Sequence, residues 1–234
     1  MYYKLSNTAE RERIEKAFRV SFKYPNLYRP EVVINGLTES ILPVITSTEP
    51  EAVSPAIWGL LPEHFRDDWQ HFQNLTNTLN IDERNALPEF WYTEALKKRR
   101  CLILVTGFFT TYIKNGTTYP YYVSLKSGDP FFLAGIYNIL EDGFISCALL
   151  IGKANTYIQR FQNVVDSMPI VVPKSSSGFW LNEDMSFEDI KTFLAKPRKS
   201  RLRANPIAKE FFNQNISYDS MLEPYDYEDL PIDE

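Results

Sequence analysis

Lys97-Lys98-Arg99-Arg100, the apolar run Cys101 to Phe109, Thr110-Thr111-Tyr112, Asn115-Gly116, Tyr119 to Leu125 and Phe131 to Tyr137 form one strand-rich segment around which the chain is organised. The runs on either side of Asn115-Gly116 are β-rich, and that pair readily takes the positive φ angles of a type I′ turn, so the two runs are expected to close a hairpin. Phe131 to Tyr137 adds a third strand. The first run is apolar at nearly every residue up to Gly107, the pattern of a strand buried on both faces, and turns polar at Thr110 and Thr111. That switch marks where a central strand, read from Cys101 to Tyr112, leaves the core.

Outward from this stretch, composition sets the limits. A chain of 234 residues, 44% hydrophobic and 15% aromatic, has ample material for a core. No apolar stretch is long enough for a transmembrane helix, and the start has no signal-peptide layout, so the expected address is cytoplasmic, with no membrane partner. Cys101 and Cys147 lie in apolar strand-like runs and read as buried thiols. With two His and two Cys a zinc cluster is not expected, and no cofactor is implied. The net charge is −5, but Glu223, Asp226, Glu228, Asp229, Asp233 and Glu234 supply six negative charges at the end, which leaves the body at +1. The body carries two basic clusters, Lys97 to Arg100 and Lys196 to Arg203. Each alone reads as solvated surface, and each is also suited to phosphates.

In chain order, Tyr2 to Leu5 is a short strand, and Asn7 with Glu10 has the spacing of a capping box before a helix with the stripe Ile14, Ala17, Phe18 and Phe22. Val32 to Ile34, Leu42 to Ile45 and Ala56 to Leu61 read as strands between prolines. Phe65, Trp69, Phe72 and Leu75 suggest a helix carrying His64 and His71, and Leu87 to Lys98 a second one. Phe144 to Ile151 is a buried strand, Asn155 or Thr156 caps a helix reaching about Val165, and Ile170 to Val172 is strand-like. Ser186 and Asp189 resemble a capped start for Phe187, Ile190, Phe193 and Leu194, and Asn205 to Asn213 is helix-like. The expected fold is one α+β domain over residues 1–222, with a mixed, mostly antiparallel, barrel-like sheet flanked by helices, and a loosely ordered acidic tail over 223–234.

Trp58-Gly59-Leu60-Leu61-Pro62, Arg99-Arg100-Cys101-Leu102, Gly107-Phe108-Phe109, Pro120-Tyr121-Tyr122, Leu133-Ala134-Gly135-Ile136, Ala154-Asn155 and Met168-Pro169-Ile170-Val171 stand in an order and spacing similar to those of the SOS-response-associated peptidase family, the abasic-site processing proteins. The resemblance covers nearly the whole chain. It implies a channel for single-stranded DNA leading to a pocket at the N-terminus, where a cysteine exposed by loss of methionine closes a thiazolidine ring with the aldehyde of an abasic deoxyribose. It also implies a glutamate in a Gly-Phe-Tyr-Glu-Trp motif, a histidine in an Ile-His-Asn motif, and an Asn-Ala-Arg-Ser-Glu stretch that holds sugar and phosphate.

Carried over position by position, that chemistry fails here. Tyr2 stands where the cysteine is expected, and a phenol cannot close the ring. Thr110 and Thr111 replace the glutamate and tryptophan. Gln162 replaces the histidine and can hydrogen-bond but not titrate. Asn80 keeps its asparagine, while Asp82 takes the arginine position and Arg84 lies two residues further on. Tyr2, Asn80, Arg84, Arg99, Arg100, Thr110, Thr111 and Gln162 are therefore candidate pocket or DNA-contacting residues, with none catalytic. Three readings stay open: a non-reacting binder of single-stranded or abasic-site DNA, a Schiff-base lyase using the α-amine, and a protein-interaction module with an unknown partner.

Overall fold

In the computed structural model, which describes residues 2–85, 90–195, 201–213, 218–228 and 230–231, the apolar run divides its side chains between two cores. Cys101, Ile103 and Val105 face one and Leu102 and Leu104 the other, because successive residues of a strand point to opposite faces. Both sides exclude water, which is why the sequence shows no polar alternation there. The described strands are β1 (Lys4–Asn7), β2 (Ser21–Phe22), β3 (Glu31–Asn35), β4 (Ile41–Thr46), β5 (Ala52–Trp58), β6 (Asn80–Asp82), β7 (Arg100–Val105), β8 (Gly107–Lys114), β9 (Thr117–Leu125), β10 (Phe131–Ile139), β11 (Ile145–Lys153), β12 (Ser167–Pro169), β13 (Val171–Val172) and β14 (Leu202–Pro206). The helices are α1 (Arg11–Phe18), α2 (Trp69–Leu75), α3 (Thr93–Lys98), α4 (Ser177–Leu181) and α5 (Phe187–Ala195).

The strands form two sheets. One runs β14-β9-β8-β1-β3; the other runs β12-β11-β10-β7-β4-β5-β2, with β13 on β10 and β6 on β11. A parallel pairing of β11 with β5, from Ile145 opposite Ala56 to Cys147 opposite Trp58, closes the strands β11-β10-β7-β4-β5 into a ring. The expected α+β class with a mostly antiparallel, closed sheet is observed. Trp58 is fully buried at the seam and donates from its indole to the Leu79 carbonyl at 3.0 Å. The core between the two sheets holds Leu5, Phe108 and Val123 from one and Leu133 and Leu149 from the other. The second core lies between the ring and α1, α3, α4 and α5.

The run read as one strand from Cys101 to Tyr112 is two. At Thr106 the chain leaves the ring as β7 and enters the other sheet as β8. The Thr106 amide donates to the Ser6 carbonyl at 2.8 Å, and its hydroxyl accepts from the Thr8 amide at 3.0 Å, so β1 and the residue just after it hold the elbow. Gly107 follows because a Cβ there would sit 2.2 Å from the Tyr122 ring. The hairpin is as expected: Asn115 and Gly116 have φ 51° and 74°, and Lys114 pairs with Thr117. The third run, β10, pairs with β7 and not with the hairpin.

Several helix expectations are corrected. Asn7 ends β1 and its Nδ2 donates to the Leu104 carbonyl, so it does not cap α1, whose N-cap Glu10 makes no side-chain bond; Phe22 lies in β2. The helix through Phe65 begins only at Trp69, where Asp68 caps the His71 amide. Of Leu87 to Lys98, helix is formed from Thr93, and residues 86–89 lie outside the described set. Asn155 does accept from the Ile158 amide, but only a 3-10 turn follows. Ser186 caps α5 through the Asp189 amide at 3.1 Å. Asn205 to Asn213 is helical only in part: Asn205 and Pro206 end β14, which buries Leu202, Ala204 and Pro206, and a 3-10 helix follows at Lys209–Phe212. Residues 196–200 of the second basic cluster lie outside the described set. In the segment read as a loose tail, Leu230 is buried and Tyr121 donates to the Pro231 carbonyl at 2.8 Å, while Glu223, Asp226 and Glu228 are exposed and residues 229 and 232–234 are outside the described set.

Arg100 opens β7 with its side chain fully buried. Its Nε donates to the Trp180 carbonyl at 2.9 Å, Nη1 to the carbonyls of Leu96 and Lys97, and Nη2 to that of Asn182. These are unpaired carbonyls at the C-terminal ends of α3 and α4, where a cation is favoured. Trp180 in turn donates to the Cys101 carbonyl at 2.8 Å, so one guanidinium ties two helices to the central strand. Replacing Arg100 with methionine keeps the bulk and strands those carbonyls, and is expected to cost roughly 3 kcal/mol, measured as a shift in the urea unfolding midpoint.

Candidate functional site

Where β8 passes the start of β1, a cleft of about 310 Å³ opens, lined on one side by Tyr2, Tyr3 and Lys4 and on the other by Phe109, Thr110, Thr111 and Gln162. Phe211 and Phe212 close one end, and the partly exposed Ile113, Val164 and Val165 form a lip. Position 2 is held by its backbone. The Tyr2 amide donates to Asn80 Oδ1 at 3.1 Å, and Asn80 Nδ2 donates back to the Tyr2 carbonyl at 2.6 Å, with Asn80 presented by β6 beside β11.

The Tyr2 side chain turns inward and is 4% exposed, edge-on to Phe108 at 5.9 Å. Its hydroxyl lies 2.5 Å from Gln162 Oε1 and 2.8 Å from the Ser167 carbonyl. The phenol has one proton. Gln162 Nε2 donates to the carbonyls of Val165 and Ser167, which fixes the amide orientation and leaves Oε1 as the acceptor for that proton. Burial pushes the Tyr2 phenol well above the ordinary tyrosine value, and the hydrogen bond to Gln162 offsets this only in part. Thr110 is equally buried, with its hydroxyl donating to the Phe161 carbonyl at 3.1 Å. Among the described lining residues no carboxylate and no imidazole is present.

Of the candidate residues, the structure brings together Tyr2, Thr110, Thr111 and Gln162 at the cleft, with Asn80 behind Tyr2. The arginines are placed otherwise. Arg84 is held by Asp82 at 2.6 Å and Asp166 at 2.7 Å, and its hydrogen bonds keep both carboxyls below the ordinary range. Arg99 pairs with Glu63 at 2.7 Å and donates to Asn138 Oδ1. Arg100 is the buried helix clasp and has no exposed surface for a phosphate. His64 and His71 are exposed, 3.6 Å from Glu141 and Asp67.

Two residues escaped the sequence reading. Asn163 both donates to the Ile113 carbonyl and accepts from its amide, latching the loop after Gln162 onto β8. Lys4 reaches into the cleft; its place two residues beyond Tyr2 on an extended segment was the available signal.

The two sheets hold Tyr2 by its backbone beside the cleft. A sequence model of the SOS response associated peptidase (SRAP) family matches residues 1–214. The chain belongs to that family. Solved structures of similar fold include a protein from Bacteroides thetaiotaomicron (TM-score 0.83, 21% identity, 95% of this chain and 99% of that one) and one from Bordetella bronchiseptica (TM-score 0.72, 18% identity, 88% and 99%). A phage-related protein, also of Bordetella bronchiseptica, is similar at TM-score 0.62 and 15% identity over 88% and 93%. At these identities the likeness is one of fold. Among curated proteins, the abasic site processing protein YMR114C of Saccharomyces cerevisiae is 29% identical over 84 residues, which span 36% of this chain and 22% of that protein. Among the described residues no helix is long and apolar enough to cross a membrane.

The buried phenols set an alkaline limit. Tyr2, Tyr28, Tyr121 and Tyr122 are all raised by burial, so above the unfolded tyrosine value near pH 10 the unfolded chain has lost protons that the native chain keeps. Their contribution to stability is present below about pH 10 and falls as pH rises beyond it. Urea midpoints between pH 9 and 11 should drop steeply for the wild type. Tyr2→Phe should reduce that slope by up to one proton, about 1.4 kcal/mol per pH unit.

Proposed function

We propose that this protein engages single-stranded or abasic-site DNA in a DNA-damage context as a member of its family that does not form the stable thiazolidine cross-link. The observation that carries this reading is Tyr2, which fills the position of the expected nucleophile with a ring 4% exposed and a phenol committed to Gln162. A protonated, buried phenol is a poor nucleophile. Thr110 and Gln162 add no titratable group, so neither proton delivery nor proton removal is arranged around position 2. Membership of the family and the likeness to an abasic site processing protein support DNA as the ligand.

Binding in this reading relies on the shape of the cleft and on stacking against rings at its mouth, such as Tyr3 and Phe212, worth about 1 to 3 kcal/mol per base. The electrostatic contribution of the candidate arginines is small, since Arg84 and Arg99 already have carboxylate partners and Arg100 is buried. Two outcomes are expected. With an oligonucleotide carrying one abasic site, a denaturing gel shows no stable adduct; a stoichiometric, heat-stable adduct sinks the proposal. In anisotropy titrations of single-stranded DNA, the slope of log K against log salt is shallow, roughly −0.7 to −1.5, the release of counterions from one or two phosphates.

A further inference from the structure

Lys4 is the one amine that lines the cleft among the described residues. Its Nζ donates to the Phe211 carbonyl at 2.6 Å and lies 4.2 Å from the centroid of the Phe211 ring. Burial lowers its pKa from the ordinary lysine value, with no carboxylate among the causes to raise it again. The Phe211 carbonyl and the rings of Phe211 and Tyr3, the latter 5.9 Å away, orient the group without supplying a counter-charge, and burial alone shifts it toward the free amine.

From this placement we infer that Lys4 is the amine nucleophile of the cleft and captures the aldehyde of a ring-opened abasic deoxyribose as a reversible imine. The inference rests on the reading that abasic DNA enters this cleft. The Nζ lone pair adds to the aldehyde carbon, the carbonyl electron pair moves to oxygen, and a proton shifts from nitrogen to give a carbinolamine. Loss of the hydroxyl with the remaining N–H proton releases one water and leaves the C=N bond; hydrolysis returns amine and aldehyde unchanged. Strand cleavage by β-elimination needs a base at the sugar carbon next to the imine. Among the described lining residues no carboxylate or imidazole is present to act as that base, and the Tyr2 phenol is buried and committed. Capture therefore leaves the strand whole.

The test uses the full chain with a single-stranded oligonucleotide bearing one abasic site, with and without sodium borohydride, and a matched oligonucleotide with a tetrahydrofuran analogue that has no aldehyde. The expected result is an adduct that survives denaturation only after reduction, a wild-type peptide map placing the added mass on Lys4, an uncut strand, and at least a tenfold lower yield in Lys4→Arg. An adduct mapping to another residue, or an unchanged yield in Lys4→Arg, overturns the inference. Should the wild type bind the tetrahydrofuran oligonucleotide yet give no reducible adduct, Lys4 capture fails while the DNA-binding reading stands. If it binds neither oligonucleotide, both fall. The wild-type peptide map decides the residue whether or not the variant folds.

Discussion

A single residue, Thr106, passes the chain from the ring to the second sheet, and its hydrogen bonds to Ser6 and Thr8 fix how the two sheets meet. Because Ser6 of β1 and the adjoining Thr8 are those partners, the segment that follows Tyr2 also positions the elbow. Tyr2 and the β8 residues Thr110 and Thr111 are thereby brought to one cleft. Polar groups buried at such a junction must be paired, since an unpaired one costs about 1 to 3 kcal/mol. The requirement makes the elbow a constraint on both sheets at once.

The same principle governs the surroundings of position 2. A buried phenol and a buried amide satisfy each other, and the amide's remaining donors go to carbonyls of its own loop. A network with every member paired is rigid. The amine at Lys4 differs because its contacts, a carbonyl and the rings of Phe211 and Tyr3, supply no counter-charge.

The arginines show where a linear reading runs out. Arg99 and Arg100 are adjacent in sequence and both sit where a helix gives way to a strand, yet one pairs with Glu63 near the surface and the other is enclosed by two helix ends. The helix α4, whose carbonyls take Arg100, lies about 80 residues further along the chain, and no local pattern announces it. Arg84 likewise finds Asp166 only because β6 and the loop before β12 flank the same strand, β11. The single strand expected from Cys101 to Tyr112 failed for a related reason: hydrophobicity continues through Thr106 and Gly107 because both sheets have cores there.

Periodicity and turn chemistry, which depend on neighbours within a few residues, sufficed for the hairpin at Asn115-Gly116, the doubly buried run at 101–105 and the capped start at Ser186. Motif order sufficed for the family. Tertiary structure alone decided that the sheet closes through β5 and β11, that Asn205 to Asn213 ends an edge strand and enters a 3-10 helix because β9 offers an unpaired edge, and that Arg100 is a clasp. It alone placed Lys4 in the cleft. Those outcomes depend on partners distant in sequence, whose hydrogen-bonding groups and apolar faces become neighbours only when the two sheets have assembled.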